Sequence, residues 1–262
     1  MKKFLIVTFF ISLSWMFTGC RYNNVNVDNG IEKFFKENNI SGTFALLDNG
    51  HTTFDIYNLE RYKDSAYSPG ATFDIINALI ALETGRLKDE NSIIKYNHDS
   101  SSASLKNVFE KNNDTAFASI AYSVGKDTLQ FWLDSLKYGN TKIKSADEYF
   151  WLNDSLKITP DVQLGFIDKF YFSLFPFQKR VQKIVQNLML KENNTMYSLS
   201  YKTSVHYDSK GRKIGWLLGW IEENRHVYFF VINAQGDSMT EAALVKTLKE
   251  ILVYKEFMKG DK

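Results

Sequence analysis

The chain has 262 residues, of which 15% are aromatic and only three are proline, so it is expected to fold into one packed domain rather than stay disordered. Its formal charge is +2 at neutral pH, and such a surface lacks the concentrated basic field that nucleic-acid binding requires. The four histidines have no metal-ligand spacing, and we expect neither a metal nor another cofactor.

The amino-terminal residues have the pattern of a bacterial export signal. Two lysines precede an apolar stretch over 4–17, which is shorter than the roughly 20 residues of a membrane-spanning helix. The sequence Phe-Thr-Gly-Cys then ends at Cys20, the only cysteine, and resembles a lipoprotein processing box. We expect residues 1–19 to be a signal peptide and Cys20 to carry a lipid anchor. The alternative is an ordinary signal peptide followed by an unmodified cysteine.

Residues 20–30 are polar and are expected to form a tether between this anchor and a single domain over 31–262. Removal of residues 1–19 takes away two lysines, so the mature chain has a charge of about zero. The lipid would attach the protein to a membrane without spanning it. We therefore expect it in the bacterial cell envelope, facing the periplasm or the exterior.

The first part of the domain is predicted to contain a hairpin followed by a buried helix. Residues 31–38 have the spacing of a short amphipathic helix. Residues 42–48 and 52–56 are predicted strands, and the Asn-Gly pair between them is typical of a tight hairpin turn. Residues 72–84 are apolar almost all round, which predicts a helix buried on every side.

The rest of the domain is predicted to be helical first and then β-structured. Periodicity is mostly helical over about residues 98–195, and Thr159 followed by Pro160 predicts a helix start. Three strands and a closing amphipathic helix are predicted over 196–203, 214–221, 226–232 and 240–257. The predicted fold class is α+β, with an antiparallel sheet of five to seven strands flanked by helices and a mostly helical subdomain.

Several short motifs occur in an order that resembles one known family. They are Leu-Glu-Thr-Gly at 82–85, Tyr-Gly-Asn at 138–140, Phe-Trp-Leu at 150–152, Lys-Thr-Ser at 202–204 and Gly-Trp at 219–220. Each motif is weak alone, but together they span about residues 42–235. In this order they resemble the class D β-lactamases, which are serine penicillin-recognising enzymes. The resemblance implies a β-lactamase/transpeptidase-like fold.

The resemblance fails at the positions that carry the chemistry of that family. Its active-site helix opens with Ser-x-x-Lys, and the corresponding residues here are Ala71 and Asp74. Its second serine, in Ser-x-Val, falls on Asn112, and Ser204 replaces the glycine of its Lys-Thr-Gly motif, where a side chain is expected to crowd the cleft. Acyl transfer through a covalent intermediate needs a nucleophile, so acylation at position 71 is excluded.

Asp74 has three candidate roles in the predicted site. It could activate a water, although an ordinary aspartate has a pKa of about 4 and is a poor base unless burial raises it. It could only complement the helix dipole in the first turn. It could pair with Lys202, which the resemblance places across the cleft. Lys202, Thr203, Ser204 and Trp151 are the ligand-binding residues that the resemblance implies, for the carboxylate of a β-lactam or a peptidoglycan fragment.

Three functions are compatible with the sequence. We expect a class D β-lactamase-like lipoprotein without catalysis, a pseudoenzyme with a residual noncovalent site for penicillin or a peptidoglycan fragment. The second is a β-lactam hydrolase that works by a route outside the family, through an Asp74-activated water or another serine. The third is a purely structural or interaction lipoprotein with a filled cleft.

A second Ser-x-x-Lys, from Ser92 to Lys95, follows the buried helix and is expected to be a solvated loop.

Overall fold

The computed structural model describes residues 24–98, 100–140, 143 and 149–262. The predicted signal peptide and Cys20 lie outside the described residues. Within the described ranges, no helix is both long enough and apolar enough to cross a bilayer.

One mixed sheet forms the centre of the domain. The described strands are β1 (Val25–Val27), β2 (Ser41–Asp48), β3 (Thr53–Tyr57), β4 (Ile93–Tyr96), β5 (Ser101–Ser104), β6 (Leu190–Asn193), β7 (Tyr197–Tyr207), β8 (Lys213–Glu223) and β9 (His226–Gln235). Seven of them form a sheet in the order β1-β3-β2-β9-β8-β7-β6, and β4 pairs with β5 separately. Every pair in the large sheet is antiparallel except β1 with β3. The prediction of five to seven strands is confirmed, with seven strands in the sheet. The prediction of a purely antiparallel sheet is wrong for one pair, because β1 runs parallel to β3.

Helices cover both faces of the sheet. The described α-helices are α1 (Glu32–Glu37), α2 (Leu59–Asp64), α3 (Asp74–Glu83), α4 (Leu105–Glu110), α5 (Asp114–Val124), α6 (Lys126–Leu136), α7 (Pro160–Tyr171), α8 (Lys179–Met189) and α9 (Glu241–Tyr254). Alternate residues of β9 enter different cores, because successive strand side chains point to opposite faces. Phe229 packs in the core around α3, and Phe230 packs in the core beneath α9.

The sheet begins in a segment that the sequence predicted to be a tether. Val25–Val27 pairs with β3, and the Lys255 ammonium lies 2.6 Å from Asp28 and 2.9 Å from Asp55. These contacts join the edge of the sheet to the end of α9. The described domain therefore begins near residue 25 rather than at Ile31, because backbone pairing and an ion-pair network hold a polar segment that has no apolar periodicity.

The middle of the chain is less helical than predicted. Its start lies in the β4–β5 hairpin, and β6 follows α8 directly. Lys95 of the second Ser-x-x-Lys lies exposed on β4, so it belongs to a strand rather than to a loop. The predicted helix start at Pro160 is confirmed, with Thr159 at the N-cap of α7.

The carboxyl terminus is fastened by one buried carboxylate. Glu223, at the end of β8, is 1% exposed. It accepts hydrogen bonds from the backbone N–H groups of residues 258, 259 and 261 at 2.9, 3.1 and 3.2 Å, and also from that of Gly260. A carboxylate out of water needs several donors, and the tail after α9 supplies them.

Candidate active site

The start of α3 lies against β7, and this contact brings Ala71 and Ser204 together. Ala71 is in a 3₁₀ turn over Gly70–Phe73, and its backbone N–H donates to Ser204 Oγ at 2.8 Å. Gly70 has a φ of +57°, and a Cβ there would lie 2.1 Å from Ser204 Oγ. Glycine is therefore required for β7 to approach so closely. The predicted crowding by Ser204 takes the form of a hydrogen bond to the amide of position 71.

Lys202 is committed to partners inside the protein. Its ammonium lies 2.9 Å from Asp74 Oδ2 and donates to Asn112 Oδ1 at 2.5 Å and to the Phe109 carbonyl at 2.6 Å. The ammonium also lies 4.1 Å from the centroid of the Phe109 ring. Two N–H groups of the ammonium therefore donate to Asn112 and the Phe109 carbonyl, and its charge lies in ion-pair contact with Asp74. The hypothesis of an Asp74–Lys202 pair agrees with this geometry, whereas a free Lys202 available to a ligand does not.

Burial controls the electrostatics of this pair. Asp74 is 0% and Lys202 is 2% exposed. Burial raises the pKa of Asp74 to about 7 against the opposing effect of Lys202, and burial lowers the pKa of Lys202. The pair is an ion pair by distance, although neither Asp74 oxygen has a partner in hydrogen-bond alignment among the described residues. A pKa near 7 suits a general base, but a carboxylate without exposed surface has no contact with solvent water.

A second polar cluster lies beside Lys202 and includes a residue that the sequence did not single out. Asn112, between α4 and α5, donates through Nδ2 to Glu241 Oε1 at 2.7 Å. Thr203 Oγ1 donates to Glu241 Oε2 at 2.8 Å. Glu241 is the first residue of α9, where an acid is expected for the helix dipole alone, so no sequence signal distinguishes it.

Trp151 lies in the core rather than in an open cleft. Its side chain is fully buried, and its ring stacks on Phe73 at a centroid distance of 5.6 Å and an angle of 22°. Its Nε1 has no hydrogen-bond partner among the described residues. The predicted ligand-binding residue is therefore placed behind the start of α3, where its indole packs against aromatic neighbours.

A buried serine–histidine pair also lies next to the site. Ser68 Oγ is 2.7 Å from His206 Nε2, and Ser204 Oγ is 3.3 Å from His206 Nδ1. Burial lowers the pKa of His206 to about 4, which keeps the imidazole neutral at neutral pH. Such a pair is the arrangement of a nucleophile and its base. Ser68 has no exposed surface, however, so the pair links β7 to the segment before α3 instead of facing a substrate.

The remaining histidines do not form a site. His51, His98 and His226 are exposed, and His51 pairs with Asp48 at 2.8 Å. Within the described ranges, no group of three or more histidine, cysteine, aspartate or glutamate side chains has the geometry of a metal site.

A buried helix whose start faces a Lys-Thr strand, in a sheet of this order, defines the penicillin-recognising class of proteins. The family model for the penicillin binding protein transpeptidase domain matches residues 34–253, and the chain belongs to this family. Within the family, its relatives include class D β-lactamases. The probable β-lactamase YbxI of Bacillus subtilis is 30% identical, over 92% of this chain and 94% of that protein.

Solved structures give the same family assignment. The class D β-lactamase FUS-1 (OXA-85) of Fusobacterium nucleatum has a TM-score of 0.81 and 28% identity, covering 90% of this chain and all of that one. The carboxyl-terminal domain of the BlaR penicillin receptor of Bacillus licheniformis also has a TM-score of 0.81, with 25% identity over 88% of this chain and 96% of that one. The similarity thus extends to a protein described as a receptor as well as to enzymes.

Proposed function

We propose that this protein is a catalytically silent class D β-lactamase-like lipoprotein whose cleft is closed by its own side chains. The observation that carries the proposal is the hydrogen bond from the Ala71 amide to Ser204 Oγ. In serine acyl-transfer enzymes, the amide of the nucleophile commonly stabilises the oxyanion. Here position 71 has no hydroxyl, and its amide already has a partner. Nucleophilic attack on a β-lactam therefore has no hydroxyl at position 71, and the oxyanion of the intermediate has no free amide there.

The commitments of Lys202 and Thr203 favour an interaction or structural role over a residual binding site. Lys202 donates to Asn112 and to the Phe109 carbonyl, and its charge lies in ion-pair contact with Asp74. Thr203 donates its hydroxyl to Glu241. A penicillin or a peptidoglycan fragment would have to displace these partners before it could bind. We therefore infer that noncovalent binding of such ligands by the unaltered protein is weak.

Hydrolysis through an Asp74-activated water is the competing function, and one observation favours it. Burial raises the pKa of Asp74 to about 7, close to the value that a general base needs at neutral pH. Against it, the carboxylate has no exposed surface and lies in contact with the Lys202 ammonium. A water between Asp74 and a substrate would require this part of the site to open.

The proposed function is tested by incubating the purified protein with a chromogenic cephalosporin and with a fluorescent penicillin. We expect no turnover, and intact-mass measurement should show no adduct. A stoichiometric adduct would overturn the proposal. Turnover without an adduct would support the competing hydrolase if it disappears in Asp74→Asn.

We propose in addition that Cys20 carries a lipid and holds the domain at a membrane of the cell envelope. The support is the short apolar segment followed by Phe-Thr-Gly-Cys. The intact mass of the protein from membranes should exceed that of the polypeptide from Cys20 onwards by two or three acyl chains. In Cys20→Ser this increase should disappear, and the protein should move to the soluble fraction. A membrane-bound wild-type protein without the added mass would refute the anchor.

A further inference from the structure

Glu241 is bound in the way that a separate carboxylate ligand would be bound. One oxygen accepts from Asn112 Nδ2 at 2.7 Å, and the other accepts from Thr203 Oγ1 at 2.8 Å. Asn112 is itself held from behind, because its Oδ1 accepts from the Lys202 ammonium. The amide therefore directs its N–H₂ group toward the carboxylate. Two donors aimed at two oxygens are a bidentate arrangement, which binds carboxylates with defined geometry.

This carboxylate lies at the surface and is accessible. Glu241 is exposed at the first position of α9, while Thr203 on β7 is buried. Both line an open groove of about 660 Å³ between β7 and α9. Charged side chains that also line the groove include Lys191, Lys246, Lys249 and Glu110, and Tyr201, Ala242 and Val245 lie among them. A carboxylate from solution can reach Thr203 through this groove once the glutamate rotates away, and Asn112 Nδ2 lies 3.4 Å from Thr203 Oγ1.

The resemblance implies that a ligand carboxylate binds at Thr203, and we propose that Glu241 is an internal, exchangeable occupant of this position, held there by Thr203 and Asn112. The inference deepens the proposed closed cleft and rests on it, because it names the group that excludes ligands. The ligand class is an organic carboxylate, from either a β-lactam or the carboxyl terminus of a peptide. Glu241 is then a specificity-determining residue that competes with these ligands from within the chain.

The competition predicts a measurable weakening of binding. A ligand binds only the fraction of molecules in which the site is free, and its apparent Kd rises in inverse proportion to that fraction. If the glutamate occupies the site in about nine molecules of ten, the apparent Kd is raised about tenfold. Removal of the glutamate also removes the repulsion between its charge and the incoming carboxylate.

The experiment compares equilibrium binding of benzylpenicillin to the purified wild-type protein and to Glu241→Ala by calorimetry. We expect Glu241→Ala to bind at least about tenfold more tightly. The second substitution Thr203→Val in that background keeps the shape of the side chain but removes one donor, and it should abolish the gain. Glu110→Ala is the matched control, because it removes an equal charge from the same groove without freeing either donor, and its gain should be much smaller than that of Glu241→Ala.

Two further ligands test whether the gain in binding requires a carboxylate and from which source it comes. The methyl ester of benzylpenicillin has no carboxylate and should show no gain in Glu241→Ala. The dipeptide D-alanyl-D-alanine tests the peptide source, and a gain for one source alone identifies that source. If neither acid binds folded Glu241→Ala more tightly than wild type, the inference is overturned; an equal gain in Glu110→Ala or for the ester overturns it as well.

A folding defect in the alanine variant does not block the test. Glu241→Gln keeps the side-chain volume and one acceptor, and it should still bind the acids more tightly than wild type because a neutral amide competes less well. Unchanged binding in folded Glu241→Gln would refute the internal competition. A covalent adduct on the wild-type protein would instead refute the proposed function, and intact mass detects it independently of these affinities.

Discussion

Substitution of Asp74 by asparagine is expected to leave Lys202 as a buried cation without its counter-ion. The two side chains are 0% and 2% exposed, so solvent screens neither of them. Removal of one partner of such a pair costs about 3–5 kcal/mol of unfolding free energy. In a domain of this size, 1 kcal/mol corresponds to about 2–4 °C in Tm, so we expect Tm to fall by about 6–20 °C. Thermal unfolding followed by circular dichroism measures the change.

The two single variants should respond to pH in opposite directions. In Asp74→Asn, burial keeps the folded pKa of Lys202 below its unfolded value, so the unfolded chain binds more protons and stability rises with pH toward about 10.4. In Lys202→Met, burial keeps the folded pKa of Asp74 above its unfolded value, so the folded chain binds more protons. The contribution of Asp74 to folding stability is then full below about pH 4 and is lost as pH rises through about 7 and above. Asp74→Asn should therefore be closer to wild type at pH 9 than at pH 5, and Lys202→Met closer at pH 5.

The double variant Asp74→Leu/Lys202→Met removes both charges and tests whether the single variants are destabilised by an unpaired buried charge. Apolar replacement of a whole buried pair is commonly neutral or stabilising, so its stability should lie within about 1 kcal/mol of wild type or above it. The reasoning is refuted if each single variant loses less than about 1 kcal/mol. It is also refuted if the two single variants show the same pH slope.

Three further predictions follow from other contacts. Ala71→Ser alone should leave hydrolysis of a chromogenic β-lactam at background, because the family's lysine base is still missing; clear turnover would show that the neighbouring aspartate acts as a base. Glu223→Gln should lose about 1.5–3 kcal/mol and speed hydrogen exchange of the amides at 258–261, and unchanged protection would contradict the carboxylate clamp. Lys255→Met should free the first strand, with faster exchange at Val25–Val27 and a loss of about 1–3 kcal/mol. Because both aspartates raise the pKa of Lys255, the wild-type protein should lose this contribution only as pH rises above about 10.4.

Local sequence signals predicted the regular elements well. Thr159 with Pro160 predicted the start of α7, and the Asn-Gly pair predicted the β2–β3 hairpin. The predicted tight turn is wrong, because Asp48 pairs with Thr53 across a four-residue loop whose positive φ is at Thr52 rather than at Asn49 or Gly50. Such signals depend on backbone preferences within a few residues, so they need no knowledge of the rest of the fold. The parallel strand β1 depends instead on pairing with β3, and three residues are too few to show a period.

The sequence predicted those site residues that correspond to motif positions of the family. It did not predict Glu241, which matches none of the motifs. The resemblance placed Lys202 opposite the start of α3, which led to the hypothesis of its pairing with Asp74. Glu241 lies 38 residues from Thr203, and an acid at the first position of a helix is ordinary. The sequence also indicated that Ser204 would crowd the cleft, but the hydrogen bond to the Ala71 amide depends on the exact approach of β7.

With the proposed lipid anchor, the early start of β1 would limit the distance between the domain and the membrane. If Cys20 carries the lipid, five peptide steps separate the anchor from the first residue of the sheet, and a fully extended chain spans about 17 Å over that length. A domain of about 230 residues has a radius of gyration of about 17 Å as well. So short a linker would keep the domain next to the lipid headgroups. Its binding partners would then be limited to molecules at the same membrane surface.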